Sequence, residues 1–436
     1  LNAVKVGLLG LGTVGGGTAT VLMKNAEEIA RRAGRGIVVN VAATLDPERA
    51  TELGMTDTRI TQDAFEVVND PEVEIVVELI GGYTLALELV LAAIENGKHV
   101  VTANKALIAT HGNEIFAAAQ KKGVMVGYEA AVAGGIPIIK AIREGLAGNS
   151  IDWIAGIING TGNFILTEMR DKGRDFDDVL KEAQELGYAE SDPTFDIEGI
   201  DAAHKLTILA SIAFGIPLQF DKVMTEGITG VTALDVAYAS ELGYRIKHLG
   251  IARRTDQGIE MRVHPTFIPE RRLIANVDGV MNAVLVQADA LGPTLYYGAG
   301  AGALPTASAV VADIVDVVRT LGSAPENRVP YLGFQPDAVS DLPLLPMDEV
   351  ETSYYLRMRA IDEPGVLAEV TRILGDRQIS IEAFIQKEPP EGENEVNIIL
   401  LTQKVREGAM NQAITELKEL DAITDKVNKI RMETLG

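Results

Sequence analysis

Two rhythms of apolar and polar positions run along this chain. Residues 3–9 are almost continuously apolar, and beyond Gly10-Leu11-Gly12-Thr13-Val14-Gly15 the residues Val14, Val21, Leu22 and Ile29 recur on one helical face. Further apolar runs at 37–45, 75–80, 99–102 and 124–129 read as strands, with helical stretches at 85–96 and 114–122 among them. Strands alternating with helices predict an α/β region built on a doubly wound parallel sheet. Ligands of such sheets sit beyond the strand C-termini.

After residue 130 the alternation stops. Residues 153–158 read as a strand, Asn159-Gly160-Thr161-Gly162-Asn163 as a polar turn before a short helix, and 175–186 as an amphipathic helix. Strand-like runs at 244–252 and 259–264 predict a second sheet that is not simply alternating, hence a second, α+β domain. Gly298-Ala299-Gly300-Ala301-Gly302 opens a helix through 309–318. A glycine run at a helix start is a backbone-donor site or a flexible cap, and its recurrence here suggests a return to the ligand side of the first domain. Pro336, Pro343 and Pro346 mark a linker. Beyond it, strands at 353–361, 379–384, 396–401 and 427–432 are interleaved with helices carrying Leu367, Val370 and Leu374, then Met410, Ala413, Ile414 and Leu417. That βαββαβ order predicts a separate small module of ferredoxin-like type. The expected domains are 1–133, completed by about 300–335; 134–300; a linker at 336–351; and 352–436.

Composition narrows the function. A chain of 436 residues is too long for one core. Its net charge of −23 argues against nucleic acid, whose phosphates need basic patches, and favours a small-molecule ligand. There is no cysteine, so disulfides and thiolate metal sites are excluded and a reducing cytosol is suitable. The N-terminal segment reads as a strand rather than a signal peptide. The longest uncharged run, 290–312, is broken by Pro293, Pro305 and several glycines, which suits a loop near a ligand better than a membrane span. The expectation is a soluble, cytoplasmic protein with neither a nucleic-acid nor a membrane partner.

Chemistry concentrates in three places. A strand, then Gly10-x-Gly12-x-x-Gly15, then a helix is the fingerprint of a Rossmann-type dinucleotide site, whose glycines let the backbone approach a pyrophosphate. Asp46 and Glu48 after the second strand favour NAD and Arg49 favours NADP, so the cofactor choice stays open. Gly81-Gly82, after the 75–80 strand, lets a nicotinamide ribose lie close to the backbone. Residues 186–206 hold Glu190, Asp192, Asp196, Glu198 and Asp201, then Lys205. Asp201 and Lys205 sit four apart on one helix face, either as a solvated pair or as the working ammonium of a substrate site. Lys105 lies just past a strand end. Residues 129–137 are small-residue backbone whose carbonyls suit a hard cation, the plainer reading being a linker turn.

The stretches GLLGLGTVG, ELIGG, VTANKALIA, EAAVAGGIP, NGTGNFIL, GYAESDPTFDIEGIDAAHKL, VHPTFIP, GAGAGALPTASAVVADIV and DEPGVLAEV resemble homoserine dehydrogenases that carry a C-terminal ACT domain, over nearly the whole chain. The resemblance implies reversible NAD- or NADP-dependent interconversion of L-homoserine and L-aspartate 4-semialdehyde in threonine, methionine and isoleucine biosynthesis. It implies Lys205 as proton donor, Lys105 as second active-site lysine touching substrate and cofactor, and Asp201 orienting them. It implies Glu190 and Asp196 for the substrate, and Gly10, Leu11, Gly12, Thr13, Val14, Gly15, Gly81 and Gly302 for the cofactor. The backbone carbonyls of Glu129, Val132, Gly134 and Ile136 would hold a monovalent cation, Na or K. L-threonine would be an effector at the ACT domain, near Asp362-Glu363-Pro364-Gly365, and the assembly a homodimer or homotetramer. Two rivals stand beside it. An amino-acid dehydrogenase on the same architecture leaves the Glu190–Lys205 block unexplained, and a nucleotide-responsive regulator would bind cofactor without turnover.

Overall fold

The computed structural model describes residues 2–389 and 392–436. The chain forms two compact units: Leu1–Gly160 with Asp201–Val223 and Val280–Leu342, and Thr161–Ile200 with Met224–Gly279 and Pro343–Gly436.

The first unit carries a parallel sheet of β1 (Val4–Leu9), β2 (Ile37–Ala43), β3 (Arg59–Thr61), β4 (Ile75–Glu78), β5 (His99–Thr102) and β6 (Val126–Gly127), in the order β3-β2-β1-β4-β5-β6. The order reverses between β1 and β4, so Gly10–Gly15 and Gly81-Gly82 both lie at the switch point where such sheets bind ligands. Val4, Val6, Leu8, Ile75 and Val77 have no exposed surface, and pack in one core with Val310 and Ile314 of the helix Ala303–Thr320. Burial on both faces is why these strands read as continuous apolar runs.

Two expectations change here. The 290–312 run is not a loop throughout: Gly292–Ala299 is a strand paired antiparallel with Met281–Ala288, which in turn pairs with Ile151–Ile157. Gly292, Pro293 and Gly298 hid it; Pro293 is tolerated because the strand is at a sheet edge. The helix expected at 114–122 begins at Lys105. Asn104 caps it, its side chain accepting the Leu107 amide at 3.0 Å, so Lys105 stands in a first helical turn rather than a loop.

The second unit is one sheet in the order Tyr244–Thr255, Gly258–Pro269, Asn428–Met432, Glu351–Ile361, Glu395–Thr402, Ile381–Gln386. The first two strands are longer than 244–252 and 259–264. Gly258–Pro269 is buried along its whole length, and its charges are internal: the fully buried Arg262 meets Glu433 at 2.5 Å, Glu260 at 3.3 Å and the His264 ring at 2.7 Å. Charges consumed by one another erase the apolar pattern without exposing the strand. Asn159-Gly160-Thr161-Gly162-Asn163 likewise differs from expectation, because a helix starts at Gly160 and runs to Lys172.

The βαββαβ order is present, with the last strand beside the first, as in ferredoxin-like sheets. Its sheet is continuous with the rest of the second unit. Its last strand also pairs in parallel with Gly258–Pro269, Thr266 opposite Arg431. One sheet face is covered by the module's own helices, Val366–Asp376 and Glu407–Leu417. The other face packs Tyr355, Ile399, Leu401, Ile430 and Met432 against Ile165, Val179, Val236 and Ala239. Those partners come from helices Gly160–Lys172, Phe176–Glu185 and Ala233–Glu241. Inside that layer the buried Asp235 takes Arg357 Nε at 2.6 Å, the Tyr355 hydroxyl at 3.0 Å and the Asn428 amide at 3.0 Å.

Candidate active site

The fingerprint loop is tight inside and open outside. Gly10 has φ +97°, and a Cβ on Gly15 would fall 2.0 Å from the Gly10 carbonyl oxygen. A Cβ on Gly12 would meet nothing within 4 Å. The helix that follows, Thr13–Lys24, has no acid in its first turn. Glycine backbone at a helix N-terminus with an open outer side fits a dinucleotide pyrophosphate. Leu11 is buried beneath the turn, whereas Thr13 is exposed and Val14 half-buried. A Cβ on Gly17 would lie 2.5 Å from the Ala303 carbonyl oxygen, so the late glycine run does return to this helix. Gly302, at φ +120°, is the residue preceding the Ala303 helix. Gly10 in turn abuts Leu79 and Ile80, next to Gly81. Asp46 is exposed after β2, and the Arg49 guanidinium lies 3.5 Å from where a Gly16 Cβ would be, so both signals of cofactor choice persist.

On the helix Ile200–Phe214, Asp201 is buried and holds two lysines, one on each oxygen. Lys105 Nζ lies 2.7 Å from Oδ1; Lys205 Nζ lies 2.7 Å from Oδ2. Asn159 Nδ2 also donates to Oδ2 at 2.9 Å, and Lys205 donates to the Ile158 carbonyl at 2.7 Å. The Lys205 side chain is 11% exposed and that of Lys105 39%, so one ammonium is inside and the other at the rim. Burial opposes ionisation of Asp201, but the charges of Lys205 and then Lys105 outweigh it and hold its carboxyl well below the usual range. His204, stacked on Phe220 at 4.1 Å, falls to about 4, chiefly through burial, so its imidazole is neutral near pH 7. Two ammonium groups against one carboxylate leave net positive charge at the cluster, which suits a developing oxyanion. Sequence reasoning assigned no role to Asn159 or the Ile158 carbonyl; the signal was a polar residue at the end of the 153–158 strand.

Glu190 and Asp196 belong to the second unit. Glu190 is exposed on the loop after Phe176–Glu185, its carbonyl accepting the Gln184 amide at 3.1 Å. Asp196 is half-buried in the short helix Thr194–Ile197.

Residues 129–136 form a buried loop in the first unit. Ala133 and Gly134 adopt positive φ (54° and 36°), and Glu129, Val132, Gly134 and Ile136 are all buried. Two acids pin it: Glu129 accepts the Ile139 and Lys140 amides at 2.9 and 2.8 Å, and Asp313 accepts the Glu129 amide at 2.7 Å. Burial, then repulsion from Asp313, raises the Glu129 carboxyl to about 7. No group of three or more His, Cys, Asp or Glu suited to a metal occurs among the described residues. Of its carbonyls, that of Glu129 accepts the Val132 amide at 3.4 Å and that of Ile136 the Ile138 amide at 2.7 Å.

The family model for homoserine dehydrogenase matches residues 137–315, and that for the homoserine dehydrogenase NAD binding domain matches 10–129. A homoserine dehydrogenase of Pseudomonas aeruginosa is 67% identical over 436 residues, 100% of each chain. The chain belongs to the homoserine dehydrogenase family. A solved homoserine dehydrogenase from Thiobacillus denitrificans matches with TM-score 0.95 and 66% identity, covering 100% of this chain and 99% of that one. A hyperthermophilic archaeal homoserine dehydrogenase, solved in complex with NADPH, matches with TM-score 0.62 and 28% identity, covering 72% of this chain and 97% of that one. The ACT domain model matches 354–422. As a homoserine dehydrogenase, the enzyme is an NAD(P)-dependent oxidoreductase acting on a CH–OH group. Among the described residues, no helix is long and apolar enough to cross a membrane.

Proposed function

We propose that the two-lysine, one-aspartate cluster is the chemical centre for interconverting L-homoserine and L-aspartate 4-semialdehyde. The observation that supports this most is one buried carboxylate, Asp201, orienting the Lys205 and Lys105 ammonium groups from opposite oxygens. Lys205 protonates the alkoxide oxygen during aldehyde reduction and takes that proton back during oxidation. Lys105, at the rim, stabilises the same oxygen and touches both substrate and cofactor. When bound, the reduced cofactor would supply the hydride for aldehyde reduction, and NAD or NADP would receive it in the reverse direction. Gly10, Leu11, Gly12, Thr13, Val14, Gly15, Gly81 and Gly302 hold the cofactor. Semialdehyde-dependent consumption of reduced cofactor, measured with NADH and with NADPH, tests the reading; consumption with neither would overturn it.

Glu190, aided by Asp196, holds the substrate ammonium. Glu190→Gln is expected to raise the KM for homoserine by roughly ten-fold or more, the loss of a charge-assisted hydrogen bond. An unchanged KM would place the ammonium elsewhere, Asp192 being the next candidate.

The carbonyls of Glu129, Val132, Gly134 and Ile136 take Na or K. Enzyme dialysed against a bulky organic cation should lose activity and regain it with either salt; indifference to both removes the site. L-threonine acts as effector through the ACT domain, and added threonine should lower the rate of the full chain, a rate that does not change being the contrary result. Functionally, 1–133 with about 300–335 binds cofactor, 134–300 binds substrate and pairs subunits in a homodimer or homotetramer, 336–351 links, and 352–436 regulates. The setting is cytoplasmic biosynthesis of threonine, methionine and isoleucine.

A further inference from the structure

Gly81-Gly82, the loop assigned to the cofactor, has little to hold it by packing. Both glycines have positive φ (72° and 77°), and a Cβ on either would meet nothing within 4 Å. The flanking Ile80 and Tyr83 are exposed. Such a loop is conformationally permissive unless hydrogen bonds fix it. Here a closed ring does so. Glu78, at the end of β4 with no exposed surface, accepts the Ile80 and Gly81 amides on Oε1, each at 2.9 Å. Its Oε2 accepts the hydroxyl of Thr102, the residue opposite it on β5, at 2.6 Å. Thr102 Oγ1 accepts the Asn104 amide at 2.9 Å. Asn104 Nδ2 then donates to the Gly82 carbonyl at 2.7 Å, closing the ring, while its Oδ1 caps the helix that begins at Lys105. Burying a carboxyl group among neutral donors is costly unless its hydrogen bonds are complete, and all three donors here are within 2.9 Å.

We propose that Glu78, Thr102 and Asn104 are positioning residues that lock the Gly81-Gly82 loop to the Lys105 helix, fixing the cofactor face relative to the working lysines. The inference rests on the cofactor and lysine assignments above. Removing the link through Thr102 leaves β5 packed but lets the loop and the lysine helix drift apart. A drift of about an ångström is enough to cost large factors in rate.

The test compares Thr102→Val, which keeps shape and loses the hydroxyl, with Thr102→Ser, which keeps the hydroxyl. Three readouts are taken well below the melting temperature: amide hydrogen exchange at Ile80 and Gly81, the dissociation constant of reduced cofactor by its fluorescence, and kcat. For Thr102→Val, exchange should quicken, the dissociation constant should rise about ten-fold, and kcat should fall by roughly ten-fold or more. Thr102→Ser should restore all three. Should Thr102→Val fail to fold, Glu78→Gln, which keeps an acceptor but replaces the second oxygen with a donor, decides by the same readouts. Unchanged exchange and affinity, or a Thr102→Ser variant as impaired as Thr102→Val, would overturn the proposal. A wild-type chain that binds cofactor but shows no homoserine oxidation would instead overturn the reading on which it rests.

Discussion

Lys205→Ala is expected to lose at least roughly a hundred-fold in turnover while binding cofactor normally. The asymmetry follows from where the lysine sits. Its ammonium is held by Asp201 and the Ile158 carbonyl on the inner side of the cluster, whereas the glycine cradle lies at the ends of β1 and β4. Removing the side chain takes away the proposed proton donor and one of the two ammonium groups of the cluster. Asp201 is not stranded, because Lys105 and Asn159 still meet its two oxygens. The fold should therefore survive, which separates a chemical defect from a structural one. Burial resists ionisation of Asp201, yet both lysines keep its carboxyl well below the ordinary range, so a loss of rate in mildly acidic solution would not arise from its protonation. Steady-state kinetics and cofactor titration of the same preparation check the prediction. A variant that keeps most of its turnover would remove Lys205 from the mechanism.

Truncation after Pro346 is expected to abolish the folded state, not only regulation. On the sequence alone the C-terminal βαββαβ segment is detachable, and a truncated enzyme blind to threonine is the natural expectation. The structure reverses it. Asn428–Met432 lies between Gly258–Pro269 and Glu351–Ile361, so its removal strips a ladder from a strand buried along its whole length. Phe267, Ile165, Val179 and Val236 lose the layer that covers them. Each large apolar side chain left bare costs about 1.5–3 kcal/mol. Asp235 loses Arg357, Tyr355 and Asn428 together, and with them the hydrogen bonds that fix it in this layer. Over the four apolar side chains the loss is comparable to the roughly 5–15 kcal/mol by which domains are stable. The truncated chain should be insoluble or lack a cooperative thermal transition. A soluble, cooperatively melting, active fragment would contradict this layer of packing. The same geometry joins the ACT region directly to the helices Gly160–Lys172, Phe176–Glu185 and Ala233–Glu241, with the Asp235 cluster between them.

The dinucleotide half was legible because its physics is local. Apolar runs buried on both faces, Gly10 to Gly15 at a strand-to-helix turn, and a period-3.6 helix all lie within neighbouring residues. Asp201 and Lys205 were legible for the same reason, as an i,i+4 pair. Lys105 as the second partner of Asp201 was not, since nothing near residue 105 points to residue 201. Strand Gly258–Pro269 was half hidden because Glu260, Arg262 and His264 look like surface residues until Glu433 is brought to them. The integration of the last strand was invisible, depending on Asp235 with Arg357 and on Phe267 with Tyr355, contacts that no local pattern encodes.

The most direct measurement is the initial rate of reduced-cofactor formation when purified chain is given L-homoserine with NAD or with NADP. The account predicts a saturable, homoserine-dependent rate with at least one cofactor, and its near-complete loss in Lys205→Ala. No homoserine-dependent rate with either cofactor, from a folded chain that still binds reduced cofactor, would contradict it.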